Sequence, residues 1–314
     1  MKSRKGKGAK KKADLQRLVT EKENVASTGL DSKASLEIAR IINAEDAKVA
    51  SAVAGSLPQI ATVIDWIAAA LSKGGRLIYV GTGTSGRIAA LDAAECPPTF
   101  NTNPKMVQFV MAGGSKALAE AIEASEDSRS LGRREMAKRK PGRNDVVVGV
   151  AASGRTPFTI AALEYARSQG AKTVAVTCNC NSPLERAAHI AIVAEVGPEV
   201  VAGSTRMKAG TAQKMILNTL TTGAMTRLGY VYGNLMVNLH LKNEKLAERG
   251  ISIIEKAAQV SRGEARKLLK AAHHSVPVAL VMATAGVTRV DAEKALRQSQ
   301  GHVRNAIRRA QREG

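Results

Sequence analysis

Residues 80–98 read VGTGTSGRIAALDAAECPP and follow the apolar run Arg76-Leu-Ile-Tyr-Val80. Gly81, Gly83 and Gly86 satisfy G-x-G-x-x-G, the pattern of a strand that turns into a helix around a phosphate. In a dinucleotide fold an acidic residue stands about 20 positions further on and binds the ribose. Here residues 101–114 read NTNPKMVQFVMAGG and hold no Asp or Glu. The loop also carries Thr82, Thr84 and Ser85, hydroxyls that a pyrophosphate cradle does not need, and it lacks the Gly-Lys-Ser/Thr of a P-loop.

A second loop repeats the design. The run Val146–Val150 passes through AASGRTP, residues 151–157, into a helical pattern. Ser-Gly-Arg therefore occurs twice, at 85–87 and 153–155, each time between the end of a strand and the start of a helix. Helix N-termini present free N–H groups and a positive dipole end, and glycine lets the backbone approach a bound anion. Thr84, Ser85, Gly86, Ser153, Gly154 and Thr156 are thus the phosphate-binding candidates. Each hydroxyl is also an ordinary helix cap, and the two roles can coexist. One such loop could be turn chemistry alone; the pair points to a phosphosugar.

The elements around the loops give the fold class. Strands are expected at Leu77–Val80, Met106–Met111, Val146–Val150, Thr173–Thr177 and, more weakly, Ile190–Val193. They are short, rich in Val and Ile, and do not alternate with polar residues. Strands buried on both faces look this way, which predicts a five-stranded parallel sheet inside a three-layer αβα sandwich. Helices are expected over residues 31–73, 84–94, 116–129 and 156–169, and residues 205–246 read as mainly helical. From Ile251 onward, short helical segments broken at Ser261-Arg-Gly263, Pro277 and Gly286 predict a small all-helical module over 251–314.

Composition narrows the function. The 314 residues carry a net charge of +20 with only 3% aromatics, so stacking platforms for single-stranded nucleic acid are scarce. Part of the charge is concentrated in a glycine-containing tail, Lys2, Arg4, Lys5, Lys7, Lys10, Lys11 and Lys12. No periodicity organises it, so residues 1–23 read as a disordered solubilising tail rather than a nucleic-acid arm. The basic start precedes no apolar signal segment, and no run approaches the roughly 20 apolar residues of a membrane span. Cys96, Cys178 and Cys180 make no disulfide framework, and neither they nor the scattered histidines have metal-ligand spacing. A cytoplasmic protein without a metal is the expectation.

A third stretch, Gly197–Lys214, reads GPEVVAGSTRMKAGTAQK. Together with the 80–98 loop, Ala151–Pro157, Glu126-Asp-Ser128 and Gly233-Asn-Leu-Met236, it resembles the N-acetylmuramic acid 6-phosphate etherases of the sugar isomerase (SIS) fold superfamily. The resemblance runs from about Asn24 to the C-terminus. The Ser-Thr-Arg-Met-Lys portion alone is also similar to glucokinase regulatory proteins. What the resemblance implies is a SIS phosphosugar-binding catalytic domain over 24–250, a ubiquitin-associated-like helical domain after it, and a homodimer with sites near the interface. It also implies a role in peptidoglycan amino-sugar recycling.

The implied reaction removes D-lactate from the C3 ether of N-acetylmuramic acid 6-phosphate. Ethers leave poorly, so direct displacement is unattractive. Ring opening exposes a C1 aldehyde that acidifies the C2 proton; a base takes it, the enolate expels lactate, and water adds back. One base and one acid suffice, with no redox cofactor and in principle no metal. By resemblance Glu126 is the C2 base and Glu95 the acid at the lactate oxygen. Read without the resemblance, Glu95 could end a helix before Pro97-Pro98, and Glu126 could be a surface charge on helix 116–129 with Asp127 as its rival. Lys208 is a candidate cation for the phosphate or the lactyl carboxylate, and Ser204 is a binding or capping candidate. Ser115 stands where some relatives have a glutamate, so a third carboxylate is not expected. The rival readings are a phosphosugar sensor without turnover, an aldose–ketose isomerase, and, resting on the tail alone, a nucleic-acid-binding protein.

Overall fold

A computed structural model describes residues 18–120, 125–239, 241 and 244–313. The lysine-rich stretch 2–12 lies outside the described residues. Residues 18–20, assigned to the tail by composition, are packed, while 21–23 are exposed. Thr20 is fully buried, its carbonyl accepts from the Gly203 N–H at 3.2 Å, and the Val19 N–H donates to Asn179. A polar side chain with partners inside the fold ends the tail earlier than charge alone suggested.

Three helices, α1 (Ser35–Asp46), α2 (Val49–Ala54) and α3 (Leu57–Ser72), lead into the α/β region. There β1 (Leu77–Gly81), α4 (Gly83–Phe100), β2 (Val107–Met111), α5 (Arg129–Lys138), β3 (Val146–Val150), α6 (Pro157–Ser168), β4 (Lys172–Thr177), α7 (Pro183–Ala187) and β5 (Ile190–Val193) follow in turn. The five strands form one parallel sheet in the order β2-β1-β3-β4-β5. Non-alternating apolar strands produce this because both faces are covered. Ile78, Val80 and Val147 pack with Met136 of α5, Phe158 and Leu163 of α6 and Leu184 of α7 on one side. On the other, the Tyr79 hydroxyl donates to Asp92 of α4 at 2.8 Å, and α3 packs on β1, β3 and β5.

The chain leaves β1 for β2 on one side and returns to β3 on the other, so the switch point lies between β1 and β3. In such sheets ligands bind at the carboxyl ends of the strands at that point. Gly81 pairs with Val150 and with Met111. The segments following β1, β2 and β3 therefore leave the sheet side by side.

α8 (Lys208–Arg227) follows the sheet. The mainly helical expectation for 205–246 is corrected at its end: a hairpin, β6 (Val231–Tyr232) and β7 (Leu235–Met236), interrupts it. Then come α9 (Glu244–Ala258), α10 (Arg262–Ala271), α11 (Val276–Ala285), α12 (Arg289–Gln298) and α13 (Val303–Glu313). Ser261, Ser275 and Thr288 accept N–H bonds as N-caps of α10, α11 and α12, while Gly286 is the left-handed C-cap that ends α11, so the breakers read from sequence are helix starts and one helix stop.

The chain forms two compact units. One comprises the described residues up to Ala93 with Lys105–Leu220, the other Ala94–Pro104 with the residues from Thr221. The boundary expected at 250/251 would cut α9, whose Ile251, Ile253 and Ile254 share a buried core with Leu269, Leu280 and Ile307 of later helices. A helix whose apolar face is committed to one core cannot be divided there. Among the described residues no single helix is long and apolar enough to cross a membrane.

Candidate active site

The first glycine loop is built on contact between backbone atoms. A Cβ on Gly86 would lie 3.0 Å from the Gly81 carbonyl oxygen and from Met111 Cγ, so α4 can start only where its third glycine rests on the end of β1. The Gly86 N–H donates to the Thr82 carbonyl at 2.9 Å and closes the first turn. Ser85 is buried, Thr84 is half-buried, and neither hydroxyl has a hydrogen-bond partner among the described residues.

The second loop depends on Gly154, held at φ +64°, where a side chain is strained. A Cβ there would also meet Ser182 at 2.4 Å and Thr177 Oγ1 at 2.7 Å. The Gly154 carbonyl accepts from the Leu184 N–H at 2.9 Å, and Ser153 Oγ accepts from the Arg155 N–H at 3.2 Å. Thr156 is the N-cap residue of α6, yet its side chain makes no capping bond.

Glu126 joins the two loops. It stands on a turn and not on a helix over 116–129: a 3₁₀ turn covers Gly114–Leu118, and α5 begins only after Ser128, whose Oγ accepts from Leu131 N–H. Gly113 and Gly114, both at positive φ, open the segment after β2. A Cβ on Gly83 would lie 3.2 Å from Glu126 Oε1. The Glu126 carbonyl accepts from the Phe158 N–H at 3.1 Å, in the first turn of α6. The carboxylate thus faces the first loop while its backbone is pinned just after the second. Asp127, the rival, is exposed.

Glu95 is exposed on α4, in the portion of that helix that belongs to the second unit. Pro97 and Pro98 do not stop α4 there; it continues to Phe100. Proline at these positions removes only the N–H bonds that would return to residues 93 and 94.

Lys208 and Ser204 lie at and just before the start of α8. Lys208 is 1% exposed, and its ammonium lies 2.6 Å from Glu45 Oε2, so its charge is matched inside the protein. Burial alone would raise the Glu45 carboxyl, but hydrogen bonds from Lys208, Lys48 and Asn24 outweigh it and hold the carboxyl at about 2. Ser204 does not cap α8. Fully buried Glu199 does, accepting from the Lys208 N–H at 3.0 Å and the Ala209 N–H at 2.9 Å. A carboxylate in that position occupies the anion site that the start of α8 would offer. The next residue, Gly210, places its would-be Cβ 3.6 Å from Thr84 Cγ2, so the first turn of α8 forms a wall of the glycine loop.

Glu45 and Glu199 were missed in sequence. Glu199 lies within the quoted 197–214 stretch, but its partners are nine and ten residues on. Glu45 meets Lys208 across 163 residues, and nothing local announces it. Arg87 donates to the carbonyls of Leu118 and Glu120. Among the described residues no three His, Cys, Asp or Glu side chains converge as a metal site.

Glycine loops at the switch point of this five-stranded parallel sheet belong to the SIS-domain class of protein, as comparison with known proteins shows. Residues 134–223 match the SIS domain family, and residues 59–167 match the N-terminal SIS domain of glucokinase regulatory protein. The chain is 49% identical over 296 residues to the N-acetylmuramic acid 6-phosphate etherase of Aliivibrio fischeri strain MJ11, covering 94% of this chain and 99% of that one. It is 47% identical over 294 residues to that of Klebsiella aerogenes, covering 94% and 98%. A phosphoheptose isomerase from Francisella tularensis superposes with a TM-score of 0.45 at 17% identity, covering 62% of this chain and 100% of that one. The chain belongs to the N-acetylmuramic acid 6-phosphate etherase family.

Proposed function

We propose that the loops after β1 and β3 hold the substrate's 6-phosphate, that Glu126 is the base at C2, and that Glu95 is the acid at the departing lactate oxygen. The enzyme is a carbon–oxygen lyase. It cleaves the C3 lactyl ether of N-acetylmuramic acid 6-phosphate and yields N-acetylglucosamine 6-phosphate and D-lactate.

The observation that carries the assignment is the placement of Glu126. Its Oε1 lies against Gly83 while its backbone carbonyl is tied to Phe158 N–H, so the carboxylate faces the first loop from a backbone anchored just after the second. A sugar whose phosphate occupies those loops would present its carbon chain to that oxygen. The hydroxyls of Thr84, Ser85, Ser153 and Thr156, with the N–H groups around Gly86 and Gly154, supply donors suited to a phosphate monoester.

Chemically, C2 carries a hydrogen acidified by the open-chain aldehyde. Glu126 takes it and is protonated, and the electron pair forms the C1–C2 enolate. That pair then makes the C2–C3 double bond as the C3–O bond breaks, and Glu95 gives a proton to the lactate oxygen. Water adds at C3 with Glu95 taking its proton, and Glu126 returns a proton to C2. The C2 hydrogen therefore exchanges with solvent. General acid–base help of this kind is worth about 10²–10⁴-fold per group.

The enzyme would work in the cytoplasm, in amino-sugar recycling, as a homodimer. Incubation with N-acetylmuramic acid 6-phosphate in deuterated water tests the reading. D-Lactate together with C2 deuterium in the product is expected. Tight binding with neither lactate nor exchange would leave a sensor, and C2 exchange with a ketose product would leave an isomerase.

A further inference from the structure

We propose that Glu199 is a positioning residue for the Thr84 hydroxyl, acting through the first turn of α8. The inference rests on the first glycine loop being the phosphate site.

Glu199 is fully buried, and backbone engages both of its carboxylate oxygens. Oε2 accepts from the Lys208 N–H at 3.0 Å and Oε1 from the Ala209 N–H at 2.9 Å. Lys208 is gripped a second time at its ammonium, 2.6 Å from Glu45 Oε2. Two buried carboxylates from separate parts of the chain therefore fix the start of α8, one at the backbone and one at the side chain. A negative charge at a helix start also gains from the helix dipole.

That fixed turn carries Gly210 against the first loop. The Gly210 N–H donates to the Thr205 carbonyl at 3.0 Å. A Cβ placed on Gly210 would lie 3.6 Å from Thr84 Cγ2 and 3.5 Å from Ile88 Cδ1, so the backbone of α8 stands beside the Thr84 methyl. Threonine is stiff about χ1, because its methyl and hydroxyl share one carbon. A wall on the methyl thus decides where the hydroxyl points. The Thr84 hydroxyl has no hydrogen-bond partner among the described residues, so packing sets its direction. Glutamine at 199 keeps the shape but turns an amide NH2 toward one of the two helix N–H donors, which is then unpaired and buried. The turn loosens, and with it the wall on Thr84.

The test is a double-mutant cycle with Glu199→Gln, Thr84→Ser and their combination, beside Thr84→Ala. KM, kcat and inhibition by inorganic phosphate are measured. Thr84→Ser keeps the hydroxyl and removes the methyl that α8 holds. We expect Glu199→Gln to raise KM and the phosphate inhibition constant by roughly 3–30-fold, with kcat within about threefold. In the Thr84→Ser background the same substitution should change KM by less than about twofold, which a general loss of stability would not produce. Equal effects in both backgrounds overturn the proposal, as does an unchanged KM. Tighter phosphate inhibition in Glu199→Gln would mean that the carboxylate acts by repelling the anion, and overturns it too. If Glu199→Gln does not fold, Gly210→Val decides, since its branched carbons press on the Thr84 methyl: KM should rise in wild type and not in Thr84→Ser. Unchanged KM and phosphate inhibition in Thr84→Ala would instead sink the reading of the loop as the phosphate site, whatever the Glu199 variants do.

Discussion

Ser85 and Ser153 occupy matching places in two loops built on the same Ser-Gly-Arg, and their hydroxyls are the most local test of the phosphate cradle. A hydrogen bond to a charged group is worth about 1.5–3 kcal/mol. Ser85→Ala and Ser153→Ala should each raise KM for the phosphosugar by roughly 10–100-fold, with a smaller change in kcat. Steady-state kinetics with competing inorganic phosphate would measure this, and an unchanged KM in both variants contradicts the cradle. The two loops were legible because glycine and hydroxyl residues after an apolar run mark a tight strand-to-helix turn. Cysteine behaviour was only half legible. Cys178 is buried, and burial with the nearby Glu199 charge pushes its thiol up to about 12. Cys180 is exposed, yet its bond to Glu195 raises its thiol too. Mass spectrometry after iodoacetamide at neutral pH should find slow labelling at Cys180 alone, with Cys96 and Cys178 labelled only after unfolding.

At the scale of elements, the fold is held near the site by contacts that no local pattern reveals. The Glu45 carboxylate ties α1 to the start of α8. It is held at about 2, below its ordinary 4.5, so its contribution to stability is complete above about pH 4.5 and is lost as pH falls through about 2. Glu45→Gln removes the charge facing buried Lys208 and should cost about 3–5 kcal/mol at neutral pH. It should also flatten the loss of stability between pH 4.5 and 2, read from denaturant midpoints across that range; a parallel pH profile in variant and wild type contradicts the pairing. Gly132 shows a different long-range demand. A Cβ there would lie 2.1 Å from the Phe158 carbonyl oxygen, which ties the contact of α5 with α6 to glycine at that position. Gly132→Ala should destabilise the protein by about 1–3 kcal/mol, visible as a lowered Tm. The strands of the sheet were readable because burial on both faces leaves an unmistakable run of Val and Ile. The β6–β7 hairpin was not, because two-residue strands carry no period. The extension of α4 through Pro97-Pro98 was hidden because prolines in a last turn cost less than their appearance in sequence suggests.

For the whole molecule, charge and architecture separate cleanly. The fold comes from two compact units, and the break at 220/221 was illegible because helical pattern continues across it. The lysine-rich stretch carries seven of the basic residues behind the net charge of +20 and lies outside the described residues. Any binding to nucleic acid should therefore be steeply salt-dependent and disappear on deletion of residues 1–12, while etherase activity persists. Binding that survives the deletion would mean that a folded surface recognises the polyanion. The central claim is that one carboxylate, facing the first glycine loop, removes the C2 proton while another completes the elimination. Its most direct test is to follow C2 deuterium incorporation and D-lactate release side by side in Glu126→Gln and Glu95→Gln with N-acetylmuramic acid 6-phosphate in deuterated water. The account predicts neither exchange nor lactate with Glu126→Gln, and exchange without appreciable lactate with Glu95→Gln. Exchange at the wild-type rate in Glu126→Gln would contradict it.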